Sequence, residues 1–264
     1  MPASPGEALD IGPLHLQLYG VCVLLGFFVW VLVTARLWQR GGGDGIEAAW
    51  ACLLAAPVAF IGARLYHVIT DYGVYSANPT GIFDVAQGGL SIFGAVAGGI
   101  FALVFYANVR GWPIATFLDC AIVGIPLAQA IGRWGNYFNQ ELFGGPSTLP
   151  WAVVIDPAFR PAQYIDVTTF VPTFLYESLW NLGVFAVLMA VVIPRLWNRV
   201  RPGTIFAAYL VLYGLGRIWI ETLRVDPAHV ILGLRLNSWV FGAVVLLAGI
   251  YLIVSLRRRV PAPA

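Results

Sequence analysis

Lysine is absent from this sequence, and charged residues of either sign are few. Only 11% of the 264 residues are charged, whereas 59% are hydrophobic, and the mean hydropathy is +0.80. A soluble globular domain has roughly 25% charged and 45–50% apolar residues. The composition therefore excludes a soluble enzyme, a disordered chain and a nucleic-acid-binding protein.

Cysteine is also scarce, and its spacing excludes two further classes of site. Cys22, Cys52 and Cys120 are far apart, and each lies inside an apolar stretch. This pattern is typical neither of a zinc site nor of a disulfide framework, and it favours three small core residues. The sequence shows no metal-ligand cluster and no nucleotide-binding loop, so neither a metal nor a cofactor is expected.

Long apolar stretches are abundant instead. A helix that crosses a bilayer needs about 20 mainly apolar residues. We therefore predict an all-α polytopic membrane protein with seven transmembrane helices, in a single integral membrane domain over residues 1–264. No positive n-region and no A-x-A pattern flank the first stretch, which indicates a retained helix rather than a signal peptide. The seven stretches lie at about 16–37, 47–69, 90–109, 114–131, 175–196, 204–222 and 238–256.

The positions of the arginines predict the orientation of these helices. All 15 basic residues are arginines, and nine of them follow the first, third, fifth and seventh stretches. Cytoplasmic loops carry an excess of basic residues, so the N-terminus is predicted outside and the C-terminus in the cytoplasm. The nine are Arg36, Arg40, Arg110, Arg195, Arg199, Arg201, Arg257, Arg258 and Arg259.

The connection between the fourth and fifth stretches is far longer than a simple loop. Within it, Leu149–Ile155 is predicted to be a short strand. The prolines around that strand predict turns, and they are Pro146, Pro150, Pro157, Pro161 and Pro172. We therefore predict a small extracytoplasmic lobe over residues 133–172.

Several charged residues lie within the outer ends of the predicted helices. Arg64 and Arg217 are in the second and sixth stretches, and Arg133 closes the fourth. An ionised residue at the centre of a spanning helix costs about 2.5–3.5 kcal/mol, so three at a similar depth need a reason. Acidic residues lie at the same level, namely Glu141, Glu177 and Glu221.

Two interpretations of these charges are open. In the first, they pair with each other, Arg217 with Glu221 and Arg133 with Glu141. On a helix, Arg217, Glu221 and Arg224 also share one face. In the second, the arginines exceed what pairing requires and form a pocket near the outer interface, where bidentate guanidinium groups bind a lipid phosphate.

The most polar segment is Gly132-Arg133-Trp134-Gly135-Asn136-Tyr137-Phe138-Asn139-Gln140-Glu141-Leu142-Phe143-Gly144. Its glycines allow close backbone approach. Arg133 and Asn136, three residues apart, are placed to present donors to one oxyanion, although a helix end alone also explains such a pair.

That segment closely resembles the signature of the prolipoprotein diacylglyceryl transferases, which begin bacterial lipoprotein maturation. The resemblance extends over nearly the whole chain from residue 16 to 224. Further matching motifs are Tyr19-Gly20, Gly62-Ala63-Arg64-Leu65, Gly88-Gly89-Leu90-Ser91, Pro172-Thr173-Phe174-Leu175-Tyr176-Glu177 and Tyr213-Gly214-Leu215-Gly216-Arg217 with Glu221 and Arg224.

The resemblance implies transfer of the sn-1,2-diacylglyceryl group from phosphatidylglycerol to the lipobox cysteine of a preprolipoprotein signal peptide. It implies a site in the bacterial cytoplasmic membrane, with membrane lipid as a partner and no nucleic acid. Arg133 and Arg217 would hold the lipid phosphate. The other catalytic or substrate-binding positions expected are Asn136, Glu141, Tyr19, Gly144, Glu221, Arg64 and Ser91.

One position departs from the family pattern. Many members carry a histidine shortly after the Gly-Gly motif, but this chain has Phe93, which cannot transfer a proton. His67 and Glu141 are candidates for a base, Asp71 is a weaker one, and the base stays unassigned.

Two other classes of function remain as alternatives. One is a transporter for an anionic solute, which the lack of internal repeats and of inverted broken helices disfavours. The other is a non-catalytic phospholipid-binding membrane protein, which the Phe93 departure leaves open.

Overall fold

Seven long helices dominate the computed structural model, which describes residues 1–12, 14–77, 79–84, 88–193, 200–226, 228 and 230–257. Each helix is long and apolar enough to cross a membrane. This confirms the all-α, seven-span prediction, and the chain is a multi-pass membrane protein. The helices are α1 Leu18–Arg40, α2 Gly45–Thr70, α3 Ile92–Val109, α4 Ile114–Phe138, α5 Thr173–Val192, α6 Thr204–Glu221 and α7 Leu236–Arg257. Arg195, Arg199, Arg258 and Arg259 lie outside the described residues.

Helix α4 extends further than its apolar stretch predicts. The sequence analysis ended it near residue 131, but the helix continues to Phe138 and therefore contains Arg133 and Asn136. Residues 133–138, which were placed in the predicted lobe, belong to this helix. We use "lobe" below for residues 139–172.

The chain forms two compact units. The first unit comprises Met1–Trp30 with Ala121–Ala264, and the second comprises Val31–Cys120.

The lobe of the first unit has its own small core. Val153–Val154 pairs antiparallel with Thr169–Phe170, so only two of the seven residues predicted as strand are in one. Phe143, Ile155 and Phe174 pack with Val153 and Phe170 to form the core.

Two hairpins of the first unit have no counterpart in the sequence analysis. At the N-terminus, Ala8–Ile11 pairs antiparallel with Leu14–Gln17. Between α6 and α7, Val230–Ile231 pairs with Leu234–Arg235, and α7 begins at the next residue. Leu232 and Gly233 both have positive φ, at 51° and 79°, as a two-residue type I′ turn requires.

In the second unit, α2 and α3 pack closely because small residues face each other. A Cβ atom on either Gly62 or Gly94 would collide with the carbonyl oxygen of the other, and one on Gly98 would lie 2.6 Å from the Val58 oxygen. Such small-residue contacts let membrane helices approach without an apolar driving force.

All three cysteines of the protein are free.

Candidate functional site

A buried carboxylate on α5 is bound by arginines from two other helices. Arg217 of α6 donates from Nη1 to Glu177 Oε1 at 2.9 Å and from Nη2 to Glu221 Oε1 at 2.5 Å. Arg133 Nε of α4 lies 2.7 Å from Glu177 Oε2, but its N–H is not aimed at that oxygen. Glu177 therefore links the two arginines that the sequence analysis selected, and the predicted Arg217–Glu221 pair is confirmed.

The predicted direct pair between Arg133 and Glu141 is wrong. Asn136 lies between them: its Oδ1 accepts from Arg133 Nη1 at 3.2 Å, and its Nδ2 donates to Glu141 Oε1 at 2.8 Å. Asn139 Nδ2 also donates to Glu141 Oε1, at 3.4 Å. The α4 helix continues through residues 133–138, so the Arg133 side chain contacts Asn136 one turn ahead instead of reaching Glu141.

Glu221 connects this group to a second set of charges after α6. Arg235, at the end of the hairpin, lies 2.8 Å from Glu221 Oε2 through Nε and donates to Asp226 Oδ2 at 2.8 Å. Arg224 donates to both oxygens of Asp226, at 2.6 and 2.9 Å, and lies 3.7 Å from Glu221. Because α6 ends at Glu221, Arg224 lies beyond the helix, so the predicted helical face is shared by Arg217 and Glu221 only.

The electrostatics keep Asp226 ionised. Burial by itself raises the pKa of its carboxyl, but the hydrogen bonds from Arg224 and the charges of Arg224 and Arg235 more than compensate, so the pKa lies below its ordinary value.

We call these eight residues the charge network. It contains four arginines and four carboxylates, so it is neutral overall. A buried ion pair is tolerated when its charges are compensated and hydrogen-bonded. The network compensates its charges, but Glu177 Oε2, Glu221 Oε2 and Arg235 Nε form no directed hydrogen bond with the described residues. Its members are Arg133, Glu141, Glu177, Arg217, Glu221, Arg224, Asp226 and Arg235.

Arg133 is the least committed arginine of the network. Its side chain is 21% exposed, compared with 9% for Arg217. A guanidinium has five N–H donors. Within the described part of the chain, Arg133 makes a single directed hydrogen bond, to Asn136, whereas Arg217 donates to two carboxylates. Arg133 thus retains donors for a further acceptor.

Gly144 brings the lobe against the segment that carries Arg224. Gly144 and Arg224 form an antiparallel bridge, and Gly145 N donates to Leu223 O. A Cβ on Gly144 would lie 2.8 Å from both the Leu223 oxygen and the Val171 side chain. Only glycine fits this approach, so its role here is packing.

Tyr19 lies beside the same part of α4 but makes no contact with the network. Gly135 faces it so closely that a Cβ there would lie 2.6 Å from the Tyr19 ring. Among the described residues, the Tyr19 hydroxyl has no hydrogen-bond partner, and the residue is exposed.

In the second unit, Arg64 binds backbone instead of carboxylates. Its guanidinium donates to five carbonyl oxygens at 2.6–2.9 Å, which uses every N–H donor that it has. Ser91, which precedes α3, donates its backbone N–H to Ala63 O. The two residues therefore shape the segment before α3. The five acceptors belong to Gly81, Ile82, Asp84, Gly88 and Gly89.

We predict that Arg64→Lys loosens this segment. Lysine offers three donors from a single atom, so it cannot replace five bonds in a fixed fork. Hydrogen exchange of the amides in residues 79–84 should become faster, while exchange within α2 stays unchanged. Arg36→Lys, on α1, is the control. Unchanged exchange at 79–84 would contradict the structural role.

The candidate bases of the second unit have local partners. His67 Nδ1 lies 3.1 Å from Asp71 Oδ2, and the His67 ring contacts Tyr75 edge to face. Phe93 is 61% exposed in the first turn of α3, with the Tyr66 ring beside it.

The sequence analysis missed three members of the site. Glu177 was noted as acidic but was not assigned to the site, although the motif ending at it was quoted. Arg235 and Asp226 were not among the predicted site residues. Their tertiary partners are absent from any local pattern, because the hairpin that delivers Arg235 was not predicted.

Fold and site together define an integral membrane protein with a buried, arginine-rich site that has donors to spare for a phosphate-like acceptor. The sequence model of the prolipoprotein diacylglyceryl transferase family matches residues 7–255. The chain belongs to the prolipoprotein diacylglyceryl transferase family.

Individual relatives agree with this assignment. The chain is 44% identical over 267 residues to phosphatidylglycerol–prolipoprotein diacylglyceryl transferase 2 of Streptomyces coelicolor, which covers 98% of this chain and 82% of the relative. It is 43% identical over 263 residues to the phosphatidylglycerol–prolipoprotein diacylglyceryl transferase of Frankia alni, with 98% and 68% covered. The enzyme of the same name from Bifidobacterium longum is 39% identical over 277 residues, with 100% and 87% covered.

Proposed function

We propose that this chain transfers the sn-1,2-diacylglyceryl group of phosphatidylglycerol to the lipobox cysteine of preprolipoproteins. The products are a thioether-linked lipid and glycerol phosphate. Family membership supports the reaction class. The neutral charge network, in which Arg133 keeps unused donors, supports this site as the place of the reaction.

The observation that carries the proposal is the state of Arg133. A phosphodiester brings one negative charge to a network whose other charges are already compensated. The acceptor oxygens need donors that are not in use, and Arg133 has them at the more exposed end of the network. Arginine suits this role because its planar fork matches two phosphate oxygens.

The bonds of the transfer balance without a dedicated base. The thiol sulfur attacks the glyceryl carbon that carries the phosphate, the C–S bond forms, and the C–O bond breaks. The electron pair of that bond leaves on the phosphate oxygen, and the thiol proton passes to the released phosphate monoester or to water. Positive charge lowers the pKa of a cysteine thiol, which is about 8.5 when free, and also stabilises the departing phosphate.

The other predicted residues take graded roles in this proposal. Arg217 holds Glu177 and adds positive charge behind Arg133, and Asn136 orients the Arg133 guanidinium. Glu141 fixes Asn136, and Glu221 compensates Arg217.

The remaining members of the predicted set contribute shape. Gly144 packs against Leu223 and Val171, and Tyr19 packs against Gly135 of α4. Arg64 and Ser91 shape the segment before α3, since all the Arg64 donors are in use.

We also propose that the protein lies in the bacterial cytoplasmic membrane with the N-terminus and the lobe outside. The described arginines near the ends of α1, α3 and α7 and before α6 follow the positive-inside pattern. They are Arg36, Arg40, Arg110, Arg201 and Arg257.

A reconstituted assay tests the function. The purified protein in vesicles that contain phosphatidylglycerol is mixed with a synthetic lipobox peptide. We expect a mass gain of one diacylglyceryl group on the cysteine and the release of glycerol phosphate. A peptide with serine in place of cysteine, and vesicles of phosphatidylethanolamine alone, are the controls.

Each alternative gives a different result in the same vesicles. Phosphatidylglycerol binding without a thioether product would indicate a non-catalytic lipid-binding protein. Anion flux across the vesicle membrane without product would indicate a transporter. Either outcome overturns the proposed function.

We predict that Phe93→His leaves the transfer rate nearly unchanged. A general base contributes typically about 10²- to 10⁴-fold. The arginine-based activation proposed here needs no base at that position, so adding one supplies little. The rate at saturating phosphatidylglycerol is the measurement, with Phe93→Leu as the control. A gain in the range of a general base would contradict activation by arginine alone.

A further inference from the structure

Glu141 lies between two strained residues. Gln140 and Leu142, on either side of it, have positive φ values of 49° and 57°. Outside glycine, one other described residue has positive φ, Leu232 in a hairpin turn. Left-handed backbone at a non-glycine residue persists only where its surroundings enforce it, and it is concentrated at functional sites. The contacts that hold Gln140 and Leu142 in this conformation therefore point to a functional role.

Gln140 is held by a two-point clamp to the lobe. Its Nε2 donates to Asp156 Oδ2 at 2.6 Å, and its Oε1 accepts from the Asp156 backbone N–H at 2.8 Å. Because a backbone N–H can only donate, the orientation of the Gln140 amide is unambiguous. Gln140 is 6% exposed, and its two hydrogen bonds to Asp156 are partly buried.

The other side of the turn is fixed as well. The hydroxyl of Thr173, at the start of α5, donates to Leu142 O. Glu141 N donates to Asn136 O at 3.1 Å. With both neighbours held, the Glu141 side chain points back to Asn136, whose amide orients Arg133.

We propose that Gln140 and Asp156 are positioning residues for the transfer reaction, which hold Glu141 against Asn136 and thereby set the direction of the Arg133 guanidinium. This inference rests on the proposed function. Neither residue touches the reacting atoms, and the effect passes from the lobe through Glu141 and Asn136. A displacement of about 1 Å at a catalytic group can cost about 10²-fold in rate.

A charge-conserving swap tests the clamp. Gln140→Glu keeps the bond from the Asp156 N–H but sets two carboxylates against each other. Adding Asp156→Asn restores a donor and an acceptor, with the polarity reversed and the net charge of the wild type. We expect kcat to fall about 10- to 100-fold in Gln140→Glu and to recover to within about threefold of wild type in the double variant, with KM for phosphatidylglycerol little changed.

Two further variants separate side chain from backbone. Gln140→Gly allows the left-handed backbone without strain but has no clamp, so its kcat should fall as well. Asp166→Asn, an exposed lobe carboxylate, is the matched control and should behave as wild type. Wild-type kcat in either Gln140→Gly or Gln140→Glu, or no recovery in the double variant, would overturn the proposal.

The pH profile distinguishes positioning from general loss of folding. In Gln140→Glu, the facing carboxylates share a proton more readily as the pH falls, which restores a hydrogen bond. The carboxylates of Glu7 and Glu141 line the same pocket as Gln140 and add to this effect, whereas Asp226, which also lines it, is paired with Arg224 and Arg235. Its kcat relative to wild type should therefore rise from pH 8 to pH 6, whereas that of Gln140→Gly should not. The same pH response in both variants would contradict positioning by the clamp.

A second measurement is independent of catalysis. Hydrogen exchange of the amides in residues 136–142, in lipid nanodiscs, should be faster in Gln140→Glu and return to the wild-type rate in the double variant. If wild type makes no thioether, the proposed function fails and this exchange pattern alone decides the clamp. If the wild-type protein is active but hydrogen exchange and kcat are unchanged in the clamp variants, the positioning inference fails and the proposed function stands.

Discussion

Replacing Arg133 by alanine should lower the rate of thioether formation by about 10²- to 10³-fold while leaving the protein folded. The Arg133 guanidinium has N–H donors available for the phosphate, whereas the other arginines of the network use theirs on carboxylates. Its loss leaves Glu177 with its hydrogen bond from Arg217, so the buried carboxylate stays compensated. The rate is measured in phosphatidylglycerol vesicles, and folding by the thermal unfolding midpoint.

Two variants frame this result. Arg133→Lys keeps the charge but lacks the fork, so it should restore little of the rate. Arg201→Ala removes an exposed arginine before α6 and should retain wild-type activity. A rate near that of wild type in Arg133→Ala would exclude this residue as the phosphate-binding group.

Arg217→Ala should abolish transfer and also destabilise the protein. Removing one partner of a buried ion pair costs about 3–5 kcal/mol. Without Arg217, Glu177 would lose its one directed hydrogen bond, because the Arg133 N–H is not aimed at it. Arg217 is the hydrogen-bond donor to Glu177 Oε1 and Glu221 Oε1. Insertion into the membrane should persist, since the helix only loses a charge. A lower thermal midpoint, together with loss of thioether product, is the expected pair of observations.

Lysine at position 217 separates the two effects. It keeps a positive charge near Glu177 and Glu221, so most of the stability should return, whereas the reaction rate should not. Wild-type stability in Arg217→Ala would show that the pair is not structural. Wild-type activity would remove Arg217 from the site.

Arg133 and Arg217 differ in their surroundings. From the sequence alone, both are predicted to be phosphate ligands of the same kind. In the structure, Arg217 is enclosed by two carboxylates, and Arg133 lies at the more exposed end with donors to spare. Substitution by alanine therefore tests the reaction alone at position 133, and both the reaction and the stability of the fold at position 217.

The sequence by itself determined the membrane class, the number of spans and the local pair between Arg217 and Glu221. Hydropathy depends on composition within one helix length, and a pair four residues apart follows from the helical repeat alone. The segment from Gly132 to Gly144 was also recognisable, because its residues are contiguous. These properties require no knowledge of which helices are neighbours.

Only the tertiary structure decided which charges meet. Glu177 binds Arg133 and Arg217 from two other helices, the hairpin carries Arg235 to Glu221, and Asp156 of the lobe clamps Gln140. Arg64, an arginine inside a predicted transmembrane stretch, was expected to bind substrate, but its donors all bind backbone oxygens. Such contacts depend on the rotation and register of whole helices. These are set by packing across the fold, and no local pattern of polar and apolar residues encodes them.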